Sequence, residues 1–151
     1  MTNADIQAVH TIEVESFRSP WSLHALRGEL KNKLAHYLVM EHEGTIIGYG
    51  GMWVMFDEAH VTNIAIAPAY RNQHCGRQLL LKMMEWAAAL GAERMTLEVR
   101  ETNEHAQRLY TNCGFQMQGR RPRYYIDTGE AALIMWNDDI SATIDREKMP
   151  R

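Results

Sequence analysis

The chain has 151 residues, of which 46% are hydrophobic and 23% are charged, and this size and composition are typical of one compact folded domain. Sixteen basic and nineteen acidic residues give a net charge of −3, which provides no general attraction to nucleic acid. No apolar run approaches the roughly 18 residues needed to cross a bilayer, and the first residues lack the features of a secretory signal. We therefore expect a cytoplasmic protein that binds neither nucleic acid nor membrane.

Potential metal ligands are scattered along the chain. Cys75 and Cys113 stand far apart without a CxxC pair, and the seven histidines form neither an HxxxH nor an HExxH pattern. We expect no metal site and no disulfide, with both thiols reduced and packed against helices.

The N-terminal part of the sequence predicts two helices joined by a loop. Apolar residues recur at helical spacing between positions 5 and 17, and Arg18-Ser19-Pro20 then interrupts the pattern. Ser22 is a candidate N-cap for a second helix that reaches about Lys33.

A β-hairpin is predicted next. Residues 35–41 and 45–55 favour strands, and Glu43-Gly44 between them predicts a tight turn. Glycines recur inside the second strand, which indicates that other groups pack closely against its backbone. They are Gly48, Gly50 and Gly51.

The middle of the chain alternates strand and helix. A third strand covers about residues 59–67 and stops at Pro68, because proline cannot donate to a sheet. The next helix has one apolar face and is closed by Gly91. A short strand at residues 95–100 alternates apolar and polar side chains, and the helix after it ends at Gly114.

The last part of the chain predicts a closing hairpin. Residues 115–125 and 130–137 favour strands and are separated by Asp127-Thr128-Gly129. Since a strand-helix-strand crossover makes its strands parallel and hairpins are antiparallel, we expect a mixed sheet. Residues 1–137 would form the domain, and residues 138–151 a polar tail that frays.

The most informative stretch runs from Asn63 to Leu80, where a strand ends in a short loop and a helix begins at once. Free backbone amides and the positive end of the helix dipole then converge, which favours an anion site suited to a pyrophosphate. Arg71, Gly76 and Arg77 lie in this loop. The residues alone leave open that the two arginines are solvated surface charges beside an ordinary helix start.

This stretch resembles motif A of the GCN5-related N-acetyltransferase superfamily, with Arg71-x-x-His74-x-Gly76-Arg77 after the strand Asn63-Ile64-Ala65-Ile66. The resemblance extends over about residues 3–137 and implies an α/β fold, with a mixed central β-sheet flanked by helices. Other stretches resemble one branch of the superfamily, the bacterial enzymes that acetylate the N-terminal alanine of a small-subunit ribosomal protein. They are Ser19-Pro20-Trp21-Ser22, Leu97-Glu98-Val99-Arg100 followed by Asn103 and Leu109-Tyr110, and Arg120-Arg121-Pro122-Arg123-Tyr124-Tyr125.

The chain departs from the family pattern at two places. His74 stands where the family has a glycine, which changes how closely that amide can approach a phosphate. Relatives begin with a β-strand, but only about four residues precede the first helix here. We therefore expect the first strand to be absent or truncated.

The resemblance implies a role for each matching position. The amides of Ile64, Ala65 and Ile66 would pair with the pantetheine arm of acetyl-CoA and polarise its thioester carbonyl. The loop would hold the pyrophosphate through Arg71, Asn72, Gln73, His74, Cys75, Gly76 and Arg77, and Asn103 would bind the cofactor beyond it. Glu98 would act as general base, because an α-amine is protonated at pH 7 and must lose its proton to attack. Tyr110 would act as general acid toward the departing thiolate.

Simpler interpretations of these residues stay open. Alternation alone also fits Glu98 as a polar residue on the open face of a strand, and helical spacing fits Tyr110 as a core aromatic. Trp21 and Tyr124 would line a groove for the acceptor peptide, or else pack over the hairpin.

The implied function is acetyl-CoA-dependent acetylation of the N-terminal alanine of a ribosomal protein, without a metal. One alternative is an acetyltransferase of the same fold that acts on a small amine or on lysine. The Pro20-Trp21 loop and Tyr124-Tyr125 argue against it, because both resemble the peptide-acetylating branch. The other alternative is a catalytically idle acyl-CoA sensor, which would need neither Glu98 nor Tyr110.

Overall fold

The computed structural model describes residues 1–148. The helices are α1 (Ile6–Ser16), α2 (Leu23–Glu29), α3 (Cys75–Ala89), α4 (Glu104–Asn112) and α5 (Ile140–Lys148). The strands are β1 (Ala35–His42), β2 (Thr45–Met55), β3 (Glu58–Ile66), β4 (Arg94–Arg100), β5 (Gln116–Arg121) and β6 (Ala132–Asn137). Single turns of 3-10 helix lie at Asn3–Asp5 and Pro68–Tyr70.

The strands form one sheet in the order β1-β2-β3-β4-β6-β5. β1 and β2 are antiparallel, β3 and β4 are parallel, and β6 is antiparallel to both β4 and β5. The prediction of an α/β fold with a mixed sheet flanked by helices is confirmed. Within the described chain, no strand precedes α1, and no helix has the length and apolarity to span a membrane.

The described chain divides into two compact units. The first contains Met1–Trp53 and Thr62–Met83, and the second contains Val54–Val61 and the chain from Met84 onward. The interior of the first unit is a cluster of buried side chains from α1, α2 and the first three strands. Its members are Ile6, Val9, Ile12, Leu26, Tyr37, Tyr49 and Ala65.

Local signals place the ends of the early elements. The Ser22 Oγ accepts a hydrogen bond of 3.1 Å from the Ala25 amide, which confirms the predicted N-cap of α2. The helix ends at Glu29 rather than near Lys33. The Asn32 Oδ1 accepts from the Leu34 amide at 3.0 Å, and such a side-chain turn competes with helical hydrogen bonding.

The turn between β1 and β2 forms where the sequence predicts it. Glu43 and Gly44 both have positive φ, 51° and 81°, as a two-residue hairpin turn requires. The glycines of β2 also pack as predicted. A Cβ at Gly50 would meet the Met83 sulfur, and one at Gly51 would meet the Tyr37 ring.

In the second unit, a hydrogen-bonded contact joins the ends of α4, β6 and α5. The Asn137 Nδ2 donates to the Cys113 carbonyl and to the Thr143 Oγ1, both at 2.9 Å. Gly114 ends α4 with a φ of 88°, and a Cβ there would lie 2.6 Å from the Thr143 hydroxyl. Only glycine fits this left-handed, crowded position without strain.

Helix α5 corrects the expectation that residues 138–151 fray. Ile140, Thr143 and Ile144 are buried, because their spacing gives the helix one interior stripe. The Asp139 Oδ1 accepts from the Ala142 amide at 3.1 Å and caps the first turn. Residues 149–151 lie outside the described part of the chain.

The closing hairpin is shorter than predicted. β5 stops at Arg121, because Pro122 has no N–H to donate to a strand. β6 begins only at Ala132, so residues 122–131 form a loop that carries Tyr124.

Candidate active site

The predicted cofactor residues between Ile64 and Arg77 lie in the first unit as strand, loop and helix. Ile64, Ala65 and Ile66 are the last residues of β3, with Ala65 buried and its two neighbours half-buried. The Ala67 amide then donates to the Ile47 carbonyl at 2.7 Å. The single turn at Pro68–Tyr70 and a four-residue loop lead directly into α3, as the sequence predicts.

The loop has an unusual backbone. Asn72 and His74 are both left-handed, each with a φ of 63°, and the His74 carbonyl accepts from the Gln78 amide at 3.1 Å at the start of α3. A left-handed conformation costs L-residues about 1–2 kcal/mol and costs glycine little, which accounts for a glycine in the family pattern at position 74. Gly76 and Arg77 are half-buried in the first turn of α3. A turn followed by a helix N-terminus is a geometry that favours anions.

The Arg71 side chain braces the loop although it is exposed. Its Nε donates to the Ile66 carbonyl at 2.9 Å and its Nη2 to the Ser16 hydroxyl at 3.0 Å. The Gln73 Nε2 similarly donates to the Ala69 carbonyl at 3.1 Å. Arg71 is therefore more than a solvated charge, because it fixes the end of β3 against the end of α1.

Glu98 is paired with a histidine in the second unit. His60 of β3 is the register partner of Thr96, and Glu98 follows two residues later on the same face of β4. The Glu98 Oε2 lies 2.8 Å from the His60 Nε2, with 17% of the Glu98 side chain and 37% of the His60 side chain exposed. The hydrogen bond to Glu98 raises the pKa of His60, against a smaller lowering by burial. The pair thus combines a sheltered carboxylate with a group that can hold a proton near neutral pH.

Two tyrosines of the 122–131 loop stand near this carboxylate. Burial, and secondly the charge of Glu98, raise the pKa of Tyr124. Burial raises the pKa of Tyr125 to about 12, with Glu98 contributing in the same direction. The two rings meet edge to face with centroids 5.1 Å apart. Tyr124 is 42% exposed. Tyr124 is therefore available to contact an acceptor on the side of Glu98.

Arg100 holds this loop in place. Its guanidinium lies 2.8 Å from Asp127 and 3.5 Å from Glu130, and its carbon lies 4.0 Å from the Tyr125 ring centroid. Glu98 and Arg100 project from the same face of β4, two residues apart. One strand therefore supplies both the carboxylate and the anchor of the loop beside it.

Tyr110 and Asn103 lie on the helix that follows β4. Tyr110 is buried within α4, its ring centroid 5.9 Å from that of Phe115, and burial raises its pKa. A raised pKa keeps the phenol protonated, as a proton donor requires. The Asn103 Oδ1 accepts from the Ala106 amide at 3.2 Å and caps α4, so this side chain has a structural function in addition to the predicted one.

Trp21 lies between α1 and α2 in the first unit. Its indole is half-buried and packs against the interior cluster of that unit. Its backbone N–H donates to the Glu13 Oε2 at 3.0 Å. Trp21 thus packs against this cluster and stays partly exposed, and its contact with an acceptor remains a prediction.

Sequence reasoning missed His60 and the anchoring role of Arg100. Both depend on which strands are neighbours and in what register, because His60 and Glu98 are far apart in the chain. The alternation of β3 is the signal that places His60 on the same face as other half-buried residues. Identifying its partner requires the parallel register with β4.

The described residues contain no grouping of three or more His, Cys, Asp or Glu side chains that could hold a metal ion. Cys75 is half-buried and its Sγ lies 3.9 Å from the Gln73 carbonyl, and Cys113 is buried. Both remain thiols.

Comparison with known proteins defines the class. Residues 6–115 match the model of the Acetyltransferase (GNAT) family. The chain belongs to this family and is an N-acetyltransferase. A putative [ribosomal protein bS18]-alanine N-acetyltransferase of Bacillus subtilis is 47% identical over 133 residues, which cover 87% of this chain and 88% of that protein.

Solved structures show the same fold. The ribosomal-protein-S18-alanine N-acetyltransferase from Escherichia coli superposes with a TM-score of 0.83 at 30% identity, covering 90% of this chain and 88% of that one. A chain of the NatC complex bound to Gag peptide and CoA superposes with a TM-score of 0.77 at 19% identity, covering 91% of this chain and 92% of that one.

Proposed function

We propose that this enzyme transfers the acetyl group of acetyl-CoA to the N-terminal amine of a ribosomal protein whose first residue is alanine. The names of the Bacillus and Escherichia relatives support this acceptor. Ribosomal proteins are cytoplasmic acceptors, so the enzyme would act in the cytoplasm. The observation that carries the mechanism is the sheltered Glu98 carboxylate, held at 2.8 Å by His60 on the neighbouring strand.

Glu98 would remove the proton of the acceptor amine. An α-amine has a pKa near 8 and is mostly protonated at pH 7, so it cannot attack a thioester until it loses a proton. A carboxylate near the amine, directly or through one water, can take that proton as the nitrogen attacks. The hydrogen bond from His60 would fix the carboxylate rotamer and leave its second oxygen for the amine.

Tyr110 would donate a proton or a hydrogen bond to the departing thiolate. Its burial and raised pKa keep it neutral throughout the physiological range. A donor of this kind need not give up its proton completely, because a strong hydrogen bond already stabilises the developing charge.

The residues between Ile64 and Arg77 fit an acyl-CoA. The left-handed turns at Asn72 and His74 and the N-terminus of α3 suit the pyrophosphate, while Ile64 to Ile66 would align the pantetheine arm and polarise the carbonyl. When bound, acetyl-CoA supplies the activated acetyl group. Asn103 would contact the cofactor beyond the pyrophosphate, and Trp21 and Tyr124 would contact the acceptor peptide.

A panel of peptides tests the acceptor. The peptides differ only in their first two residues, and the release of CoA is measured. Two control peptides carry a blocked N-terminus or an internal lysine, and a third control replaces the peptide by a small polyamine. We expect the highest kcat/KM for an alanine N-terminus and none for the blocked peptide. Preference for the polyamine or for lysine would overturn the acceptor assignment.

Heat protection tests the cofactor. A ligand at a hundredfold excess over its Kd stabilises the native state by about 2.7 kcal/mol, which raises the Tm of a domain of this size by roughly 5–11 °C. Dephosphorylated CoA fragments should protect less than acetyl-CoA. A Tm that millimolar acetyl-CoA leaves unchanged would contradict the proposed enzyme. It would also contradict the alternative of an acyl-CoA sensor, because both must bind acetyl-CoA.

A further inference from the structure

Glu13 is a buried carboxylate that the proposed chemistry does not use. It lies in α1 with 1% of its surface exposed, and the other buried residues of this helix, Ile6, Val9 and Ile12, are apolar. The Tyr49 hydroxyl donates to its Oε1, and the Trp21 backbone N–H donates to its Oε2 at 3.0 Å. Its partners are thus a phenol and a backbone amide rather than a cation. Removing a carboxylate from water costs several kcal/mol, so an apolar residue here would pack more favourably.

The surroundings of Glu13 are otherwise poor in compensation. Burial is the main influence and raises the pKa of the Glu13 carboxyl, while the Trp21 backbone N–H and then the Asn63 side chain lower this pKa by smaller amounts. Within residues 1–148, the Asn63 Nδ2 is a buried side-chain nitrogen without a hydrogen-bond partner. The hydrogen bonds from the Tyr49 hydroxyl and the Trp21 backbone N–H are therefore the interactions that accommodate the carboxyl.

Glu13 joins both ends of the loop between α1 and α2. Its backbone carbonyl accepts from the Phe17 amide at 3.0 Å, and its side chain accepts from the Trp21 amide. The four residues from Phe17 to Pro20 are exposed. The first contact is a backbone bond that any residue at position 13 would make, so the Trp21 amide at the far end of the loop is the contact that depends on the Glu13 side chain.

We propose that Glu13 is a positioning residue, which fixes the Ser19-Pro20-Trp21 segment in the shape that receives the acceptor peptide. This inference rests on the proposed function, in which Trp21 contacts the acceptor. Glu13 itself touches neither acceptor nor cofactor in this proposal. Its loss would weaken peptide binding while leaving acetyl-CoA binding intact.

Three substitutions separate positioning from general stability. Glu13→Gln keeps an oxygen that can accept from the Trp21 amide. Glu13→Met keeps the length and flexibility of the side chain but has no oxygen to accept from that amide. Tyr49→Phe removes only the hydrogen bond from the Tyr49 hydroxyl to Glu13. Glu15→Met is the matched control, because it makes the same chemical change at an exposed position of the same helix.

The first readout does not depend on acetylation. Trypsin cuts after Arg18, in the exposed middle of the loop, and after Arg123, which is also exposed and serves as the internal reference. We expect the ratio of cleavage at Arg18 to cleavage at Arg123 to rise at least fivefold in Glu13→Met. It should rise less in Tyr49→Phe and stay unchanged in Glu13→Gln and Glu15→Met.

The second readout is steady-state kinetics with the alanine peptide. We expect the peptide KM to rise about tenfold in Glu13→Met, equivalent to 1.4 kcal/mol, with a smaller change in kcat and unchanged heat protection by acetyl-CoA. Glu13→Gln should restore the KM to within twofold of wild type. A folded Glu13→Met protein with an unchanged cleavage ratio and KM would overturn the proposal, and so would failure of Glu13→Gln to restore both.

The two proposals fail in different ways. Absence of peptide acetylation by the wild-type enzyme would overturn the acceptor assignment and, with it, the role of Glu13 in acceptor binding. The cleavage ratio would still show whether Glu13 anchors the loop. If Glu13→Met does not fold, Tyr49→Phe decides the outcome: a wild-type ratio and KM in that variant would overturn the proposal.

Discussion

Replacing Glu98 by glutamine tests the proposed base with little disturbance of shape. Glutamine keeps an oxygen that can accept from the His60 ring at the observed 2.8 Å, but it cannot take a proton from an amine. Loss of a general base lowers turnover by about 10² to 10⁴, or roughly 2.7–5.4 kcal/mol in the barrier. We expect kcat to fall within this range while the affinity for acetyl-CoA stays unchanged.

The matched control is Glu101→Gln, three residues further along the chain. Glu101 is exposed and forms an ion pair with Arg120 at 2.9 Å, so Glu101→Gln makes the same change of charge at a position outside the proposed chemistry. We expect its kcat to stay within about twofold of wild type, since solvent screens an exposed ion pair and Glu101 has no assigned part in the chemistry. Full activity of Glu98→Gln between pH 6 and 9 would refute the role of the carboxylate as base.

The same variant has a second signature in the titration of His60. The hydrogen bond to Glu98 is the largest influence that raises the pKa of His60, and burial and Arg121 oppose it. In Glu98→Gln the pKa measured by NMR should therefore fall. The pairing stabilises the fold fully below the unfolded pKa of about 6.5 and loses this effect as pH rises through the higher folded pKa. The stability lost in the variant should accordingly shrink as pH increases, and an unchanged His60 titration would refute the pairing.

Three further substitutions, the last with a matched control, have distinct expected outcomes. Tyr110→Phe should lower kcat with less effect on peptide KM, whereas equal activity would show that the phenol only packs. His74→Gly relieves the strain of a left-handed residue, about 1–2 kcal/mol, and removes the side chain next to the proposed pyrophosphate site, so acetyl-CoA should bind more tightly by calorimetry. Equal affinity of the two proteins would show that the His74 side chain does not crowd the cofactor. Gly114→Ala should lower the free energy of unfolding in urea by about 2–5 kcal/mol, because backbone strain adds to the disrupted hydrogen bonds of Asn137. The control Gly129→Ala has open space around it and should lower the free energy of unfolding by only about 1–2 kcal/mol. Equal losses in the two variants would contradict this reasoning.

The sequence predicts elements best where a local signal ends them. Gly44, Gly91 and Gly114 all adopt the left-handed conformation that marks a turn or a helix end, and Ser22 caps α2. Helix α5 was missed because Ile140 and Ile144 are its main apolar signal in a charged segment, and two such residues hardly differ from a polar tail.

The candidate site is less accessible from the sequence because its contacts are nonlocal. The family resemblance indicates Glu98, but the proximity of His60 follows from strand order and register. In α1, Glu13 is buried. Phe17 is 38% exposed, although the helical pattern places it among the apolar residues. In the sequence, a buried charged residue within an apolar stripe looks the same as an interruption of the stripe. Its burial can be recognised only in the structure, from the hydrogen bonds that it forms.

The close approach of Gly50 and Met83 makes two distant positions of the sequence vary as a pair. Met83 is fully buried, so its sulfur has little room to yield to a methyl group at position 50. Gly50→Ala alone would overpack the interior by about 1–3 kcal/mol, and Met83→Ala alone would leave a cavity costing about 2–5 kcal/mol. Together the two changes exchange volume within one site. Stepwise mutagenesis therefore meets an unstable intermediate whichever position changes first, whereas a library that randomises both codons at once can reach the repacked pair directly.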